Sequence, residues 1–117
     1  MIKRFMFILV LMLSLLVSGT VFASPVDLSK ALVIGNGPKK VIEFTDPDCP
    51  FCRKASAYFH NRRDITRYVF LNPLAMHPNA RQKVQYILSS PEKTRLYHEV
   101  MSGMVDRMDA KNLPVTA

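Results

Sequence analysis

Residues 39–54 read KKVIEFTDPDCPFCRK, and the fold turns on the change of character inside this stretch. Lys39 to Thr45 is rich in β-branched and aromatic side chains and reads as a strand. Asp46-Pro47-Asp48-Cys49-Pro50 breaks it, because proline has no N–H to give to a strand ladder. Pro50 suits the first position of a helix, with Cys49 at its N-cap. Ala55, Tyr58 and Phe59 then recur at helical spacing and carry that helix to Asn61.

Working outward, Ala31-Leu32-Val33-Ile34 is a short apolar run that stops at Gly35-Asn36-Gly37-Pro38. That is a turn signal, and it predicts a hairpin joining the run to the strand at 39–45. Ile65 to Leu71 (ITRYVFL) is a further strand, ended by Asn72-Pro73. His77-Pro78 opens another helix, in which Ala80, Val84, Ile87 and Leu88 share a face. Ser89 and Glu92 have capping-box spacing and start the next helix. Along it Tyr97, Met101, Met104 and Met108 lie one turn apart, with Leu96 and Val100 alongside. The helical period accounts for this methionine stripe as core rather than as a metal box. The predicted order is strand, strand, helix, strand, helix, helix, an α/β arrangement with a right-handed βαβ unit at its centre.

The chain has 117 residues, which allows one small domain. Residues 5–17 (FMFILVLMLSLLV) carry no charge, follow Lys3 and Arg4, and lead to Val21-Phe22-Ala23. A basic start, a short apolar core and an alanine exit describe a cleaved signal peptide over residues 1–23. The run is too short for the roughly 20 residues that span a bilayer. Of the formal charge of +7, Lys3 and Arg4 leave with that leader. The rest is scattered, and the densest basic patch, Arg62, Arg63 and Arg67, lacks the aromatic interleaving of a nucleic-acid platform. Nucleic acid is therefore not an expected partner.

Both cysteines stand in one motif, Cys49-Pro50-Phe51-Cys52. A disulfide across so short a loop removes little unfolded-state entropy, so chemistry explains the pair better than stability does. Positions three apart in a helical turn face each other at a spacing a disulfide accepts. The first sulfur meets free N–H groups and the positive end of the helix dipole, which favour a thiolate. Cys49 is thus the expected nucleophile and Cys52 the resolving thiol, with Asp46 and Asp48 opposing the thiolate. Covalent haem attachment needs His after the second cysteine, where Arg53 stands. A structural zinc site needs four ligands, and His60, His77 and His98 complete no ribbon or finger spacing. No cofactor is expected beyond the redox-active Cys49–Cys52 disulfide itself.

Residues 41–54, Val41-Ile42-Glu43-Phe44-Thr45-Asp46-Pro47-Asp48-Cys49-Pro50-Phe51-Cys52-Arg53-Lys54, resemble the active-site segment of the periplasmic DsbC/DsbG-type thiol:disulfide interchange proteins, which have a thioredoxin-like fold. More loosely the resemblance runs from Ala31 to Gly103. It implies isomerisation or reduction of disulfides in exported proteins, and reduction of the motif by a membrane thiol electron donor. Two departures bear on this. No room exists between Ala23 and Ala31 for that family's dimerisation domain, and the sequence stops at Ala117, before its cis-proline loop, last two strands and closing helix. The expectation is a thioredoxin-like domain over residues 24–117 that is incomplete at its C-terminus, exposes a sheet edge, and self-associates.

Glu43 lies six residues before Cys49, where many thioredoxin-like proteins place a buried acid that relays the resolving thiol's proton. The alternative is an outward-facing carboxylate, with Ile42 and Phe44 turned to the core. His77 reads as a helix-entry residue, His60 and His98 as surface or packing residues, and Arg53 and Lys54 as a solvated face. The reading is a periplasmic thiol:disulfide oxidoreductase or isomerase with Cys49, Cys52 and Glu43 at its site. The alternative is a non-catalytic binding module or a nonfunctional fragment of such a protein.

Overall fold

The computed structural model describes residues 24–115 and Ile2. Strands β1 (Leu32–Ile34), β2 (Lys39–Thr45) and β3 (Ile65–Leu71) form one sheet in the order β1-β3-β2. β3 runs parallel to β2 and antiparallel to β1. The hairpin expected between β1 and β2 is therefore absent: β3 lies between them. Two strand spacings separate β1 from β2, about 10 Å, and the four-residue Gly35–Pro38 link crosses that gap instead of reversing the chain in place. It does so against the start of β3, where Gly37 N–H donates to Ile65 O at 3.0 Å. A Cβ on Gly37 would fall 2.1 Å from the Asp64 carbonyl carbon, and Gly35 adopts φ +85°. Both glycines are required by that close approach.

Helix α1 (Pro50–His60) links β2 to β3, and α2 (Ala80–Ser89) and α3 (Lys93–Met101) follow. Register divides the sheet into two faces. Arg67 and Val69 of β3 align with Ile34 and Leu32 of β1 and with Val41 and Glu43 of β2. That face meets the helices: Val69, Ile87, Leu96, Tyr97, Val100 and Met101 form the core, joined by Val105, Ala110 and Leu113 from the segment after α3. The other face carries Val33, Ile42 and Phe44, all exposed, and Phe44 stacks on Phe70 with centroids 5.1 Å apart. Parallel strand pairs are ordinarily covered on both faces. Among the described residues this outer face has no helix over it.

α3 ends earlier than the methionine periodicity predicts. Ser102 is its C-cap and Gly103 follows at φ +85°. Gly103 N–H donates to Val100 O and Met104 N–H to Glu99 O, the paired bonds of a Schellman motif. The stripe is therefore split: Tyr97 and Met101 are core, while Met104 is 69% and Met108 50% exposed. Leu88 likewise leaves the face shared by Ala80, Val84 and Ile87 and is exposed. The expected capping box does not form. Glu92 is the N-cap without a side-chain bond of its own, its N–H is taken by Ser90 Oγ, and Ser89 Oγ donates back to Tyr86 O.

The leader expected at residues 1–23 lies, Ile2 apart, outside the described residues. No described helix is long and apolar enough to cross a membrane.

Candidate active site

The break in strand β2 and the start of α1 are built from the same five residues. Asp46 is buried and organises them: its Oδ1 accepts from Asp48 N–H at 2.7 Å, its Oδ2 from Leu74 N–H at 2.6 Å, and its carbonyl from Cys49 N–H at 3.2 Å. His77 Nδ1 stands 3.0 Å from the same Oδ2. Burial opposes ionisation of Asp46, but the Leu74 N–H, His77 and the Asp48 N–H outweigh it and hold the carboxyl below its ordinary range. With Pro47 buried beside it, this turn presents Cys49 at the N-cap of α1, Pro50 in the first turn and Phe51 78% exposed.

Both thiols are free and partly exposed. The Cys52 N–H, then the Cys52 thiol, hold the Cys49 thiol below its ordinary value, and the Phe51 N–H adds to them. Desolvation and the charge of Asp46 work against this, the latter as the sequence suggests. Asp48, also expected to oppose the thiolate, is instead engaged by Lys83 and by Arg53. Cys52 goes the other way. Burial pushes it up, and its place against the hydrophobic core supplies that burial. Two chemically identical groups three residues apart are thus split into an outer, acidic thiol and an inner, reluctant one. That is the arrangement a dithiol needs to attack with one sulfur and resolve with the other.

A clamp behind the motif is not legible from the cysteine pattern. Arg53 Nε donates to Pro47 O at 2.6 Å and its Nη2 to Asp106 Oδ1 at 2.8 Å. Lys83 of α2, 5% exposed, donates to the same oxygens that Arg53 Nη2 meets, Asp48 Oδ1 and Asp106 Oδ1. Arg53, expected on a solvated face, is therefore committed to tying α1 to the turn after α3. Lys54 keeps the expected surface position, with its Nζ 5.9 Å from the Phe51 ring centre. The signal for Lys83 was available: it shares a helical face with Ala80, Val84 and Ile87, and a charge there needs a buried partner.

Glu43 is turned inward, not outward, and the exposed Ile42 and Phe44 show that the opposite register was the wrong one for this face. Its Oε2 accepts from Arg67 Nη2 at 2.7 Å and Nε at 3.1 Å, and Tyr97 Oη is 3.3 Å from Oε1. Tyr97 also accepts from Arg67 Nη2 at 2.8 Å. His60 and His98, expected as surface or packing residues, meet edge to face at 4.4 Å. No group of His, Cys, Asp and Glu able to hold a metal occurs among the described residues.

A Cys-x-x-Cys pair at the strand-to-helix junction of a β-α-β unit is the arrangement of a thioredoxin-like fold. The comparisons narrow it. The chain is 29% identical over 77 residues to a protein named probable thiol:disulfide interchange protein DsbC from Bordetella pertussis, covering 66% of this chain and 27% of that one. A namesake from Bordetella avium is 29% identical over 68 residues. The crystal structure of a disulfide interchange protein from Neisseria gonorrhoeae superposes with a TM-score of 0.61 at 38% identity, over 65% of this chain and 56% of that one. No protein-family model matches. In sequence and fold the chain is similar to thioredoxin-like disulfide interchange proteins named DsbC, and it spans about a quarter of the length of the curated relatives it matches.

Proposed function

We propose that the chain is an exported thiol:disulfide oxidoreductase or isomerase that acts on disulfides of other exported proteins through Cys49 and Cys52. The placement of the pair carries this reading: Cys49 is the N-cap of α1 and Cys52, one turn in, packs against the core. The Cys49 thiolate attacks one sulfur of a substrate disulfide, a Cys49–substrate disulfide forms, and the other substrate sulfur leaves as a thiolate. Cys52 then gives up its proton and attacks Cys49 Sγ. The Cys49–Cys52 disulfide forms, the second substrate sulfur leaves and is protonated, and the substrate has gained the two electrons the dithiol has lost. In isomerisation the freed substrate thiolate attacks a second disulfide of its own chain, and the thiolate released there attacks the substrate sulfur bonded to Cys49; a new substrate disulfide forms, Cys49 leaves as a thiolate, and the dithiol ends unchanged. Phe51 at the rim offers an apolar contact to the unfolded segments in which mispaired disulfides occur. Export through residues 1–23 to a periplasm, and reduction by a membrane thiol donor, complete the proposal.

Alkylation tests the assignment of the sulfurs. At mildly acidic pH iodoacetamide is expected to label Cys49 well before Cys52, because a lowered pKa leaves more thiolate there and a raised one leaves less. In Cys52→Ser the mixed disulfide is expected to accumulate on Cys49 and to be visible by mass spectrometry. Preferential labelling of Cys52 would reverse the roles.

A second reading, a binding module, is favoured by one observation, the bare outer face with Ile42 and Phe44 exposed at the β2 edge. An unpaired strand edge beside an apolar strip invites self-association. Phe44→Ser is expected to lower the sedimentation-average mass of the full chain while leaving Cys49 alkylation unchanged. An unaltered mass would remove this face as a contact surface.

A further inference from the structure

The far end of α1 from Cys49, roughly 16 Å away at 1.5 Å per residue, borders a cleft of about 340 Å³ shared with the start of β3, the β1–β2 link and α3. Its wall carries Arg62, Arg63, Arg67, His60, His98 and Asn36, and no acidic residue. Two of the guanidiniums are compensated from outside it. Arg62 pairs with Asp64 at 2.6 Å and Arg67 with Glu43 at 2.7 Å. Arg63 makes no ion pair among the described residues. Arg67 is 1% exposed, and its Nη1 is buried without a hydrogen-bond partner. Buried polar groups are nearly always satisfied, and the residue that carries this unpartnered N–H is one that lines the cleft.

We propose that this cleft binds a small oxyanion, a carboxylate or phosphate group, between Arg63 and Arg67, with His60 and His98 as further donors. A guanidinium fork matches either oxyanion, and the cleft is of the size that holds a small organic ligand. The site stands apart from the thiol chemistry and does not depend on it.

His98 provides the readout. Burial, first, then His60 and Arg67 hold its imidazole below the ordinary histidine value. His60 faces it from α1 and Arg67 acts on it from β3, while Arg62 and Arg63 of the α1–β3 turn line the same cleft; Glu43 and Asp64 pair with Arg67 and Arg62, and Arg95 and Glu99 neighbour it on α3. An anion seated among these cations favours the imidazolium, so binding raises the His98 pKa. The experiment is an NMR titration of His98 in the full chain, in inorganic phosphate and in succinate, each against chloride at equal ionic strength. A saturable rise in either salt over chloride is the expected result. Arg63→Gln, at an exposed position, is expected to weaken that binding about tenfold, the loss of one charge-assisted hydrogen bond. Curves identical to chloride in both salts, or an unchanged affinity in Arg63→Gln, would overturn the site.

Discussion

Cys49→Ser is expected to abolish reduction of insulin disulfides, with a loss of roughly 10³-fold or more, the scale on which removal of a nucleophile acts. A serine hydroxyl at the same N-cap meets the same N–H groups but stays protonated, so no anion forms to attack sulfur. The helix start itself should survive, because serine is a good N-cap. Folding measured by circular dichroism should match wild type, and the defect should lie in chemistry alone. Activity within tenfold of wild type would place the attacking sulfur elsewhere, and Cys52 is the sole other thiol of the chain.

How far the sequence carries depends on which forces are local. The strand at 39–45, the Pro50 start of α1 and the Cys49–Cys52 pair all follow from backbone rules that act within a few residues, and all are present where expected. The errors arise where tertiary contact decides. β1 and β2 are joined by a turn signal, yet the intruding partner, β3, lies 20 residues further on and no local pattern announces it. The methionine stripe continues at helical spacing past Met101, but Gly103 terminates the helix at the positive φ that a Schellman motif needs. The orientation of Glu43 stands open between two alternatives for a different reason. In KKVIEFT the apolar pair Ile42 and Phe44 looks like the core face, because alternation cannot tell which side of a sheet the helices cover. β3 held the answer. With Ile65, Val69 and Leu71 on one register, Arg67 is the single charge among them, and its parallel neighbour strand carries one acid able to meet it.

That pairing sets the second large effect, on stability. The side chains of Arg67 and Glu43 are 2% and 9% exposed, so the pair is buried and its members depend on each other. Glu43→Gln leaves the Arg67 guanidinium, already short of a partner at Nη1, without a counter-charge, and is expected to cost about 3–5 kcal/mol. Tyr97 offers little rescue: burial, first, pushes its hydroxyl up to about 12, so it stays neutral at working pH. Against a total stability of about 5–15 kcal/mol for a small domain, the loss shows as a large fall in the urea midpoint. The same substitution distinguishes anchor from proton relay. An anchor leaves the ratio of resolution to attack unchanged where the variant is still folded, whereas a relay slows resolution of the Cys49 mixed disulfide alone, which rapid quench reads directly. The carboxylate committed to two Arg67 nitrogens favours the anchor. Replacing both members, as Glu43→Leu with Arg67→Met, is expected to recover much of the loss, since apolar side chains of similar size fill the site without an unpaired charge. If the two single losses instead add in the double variant, the residues do not act as a pair.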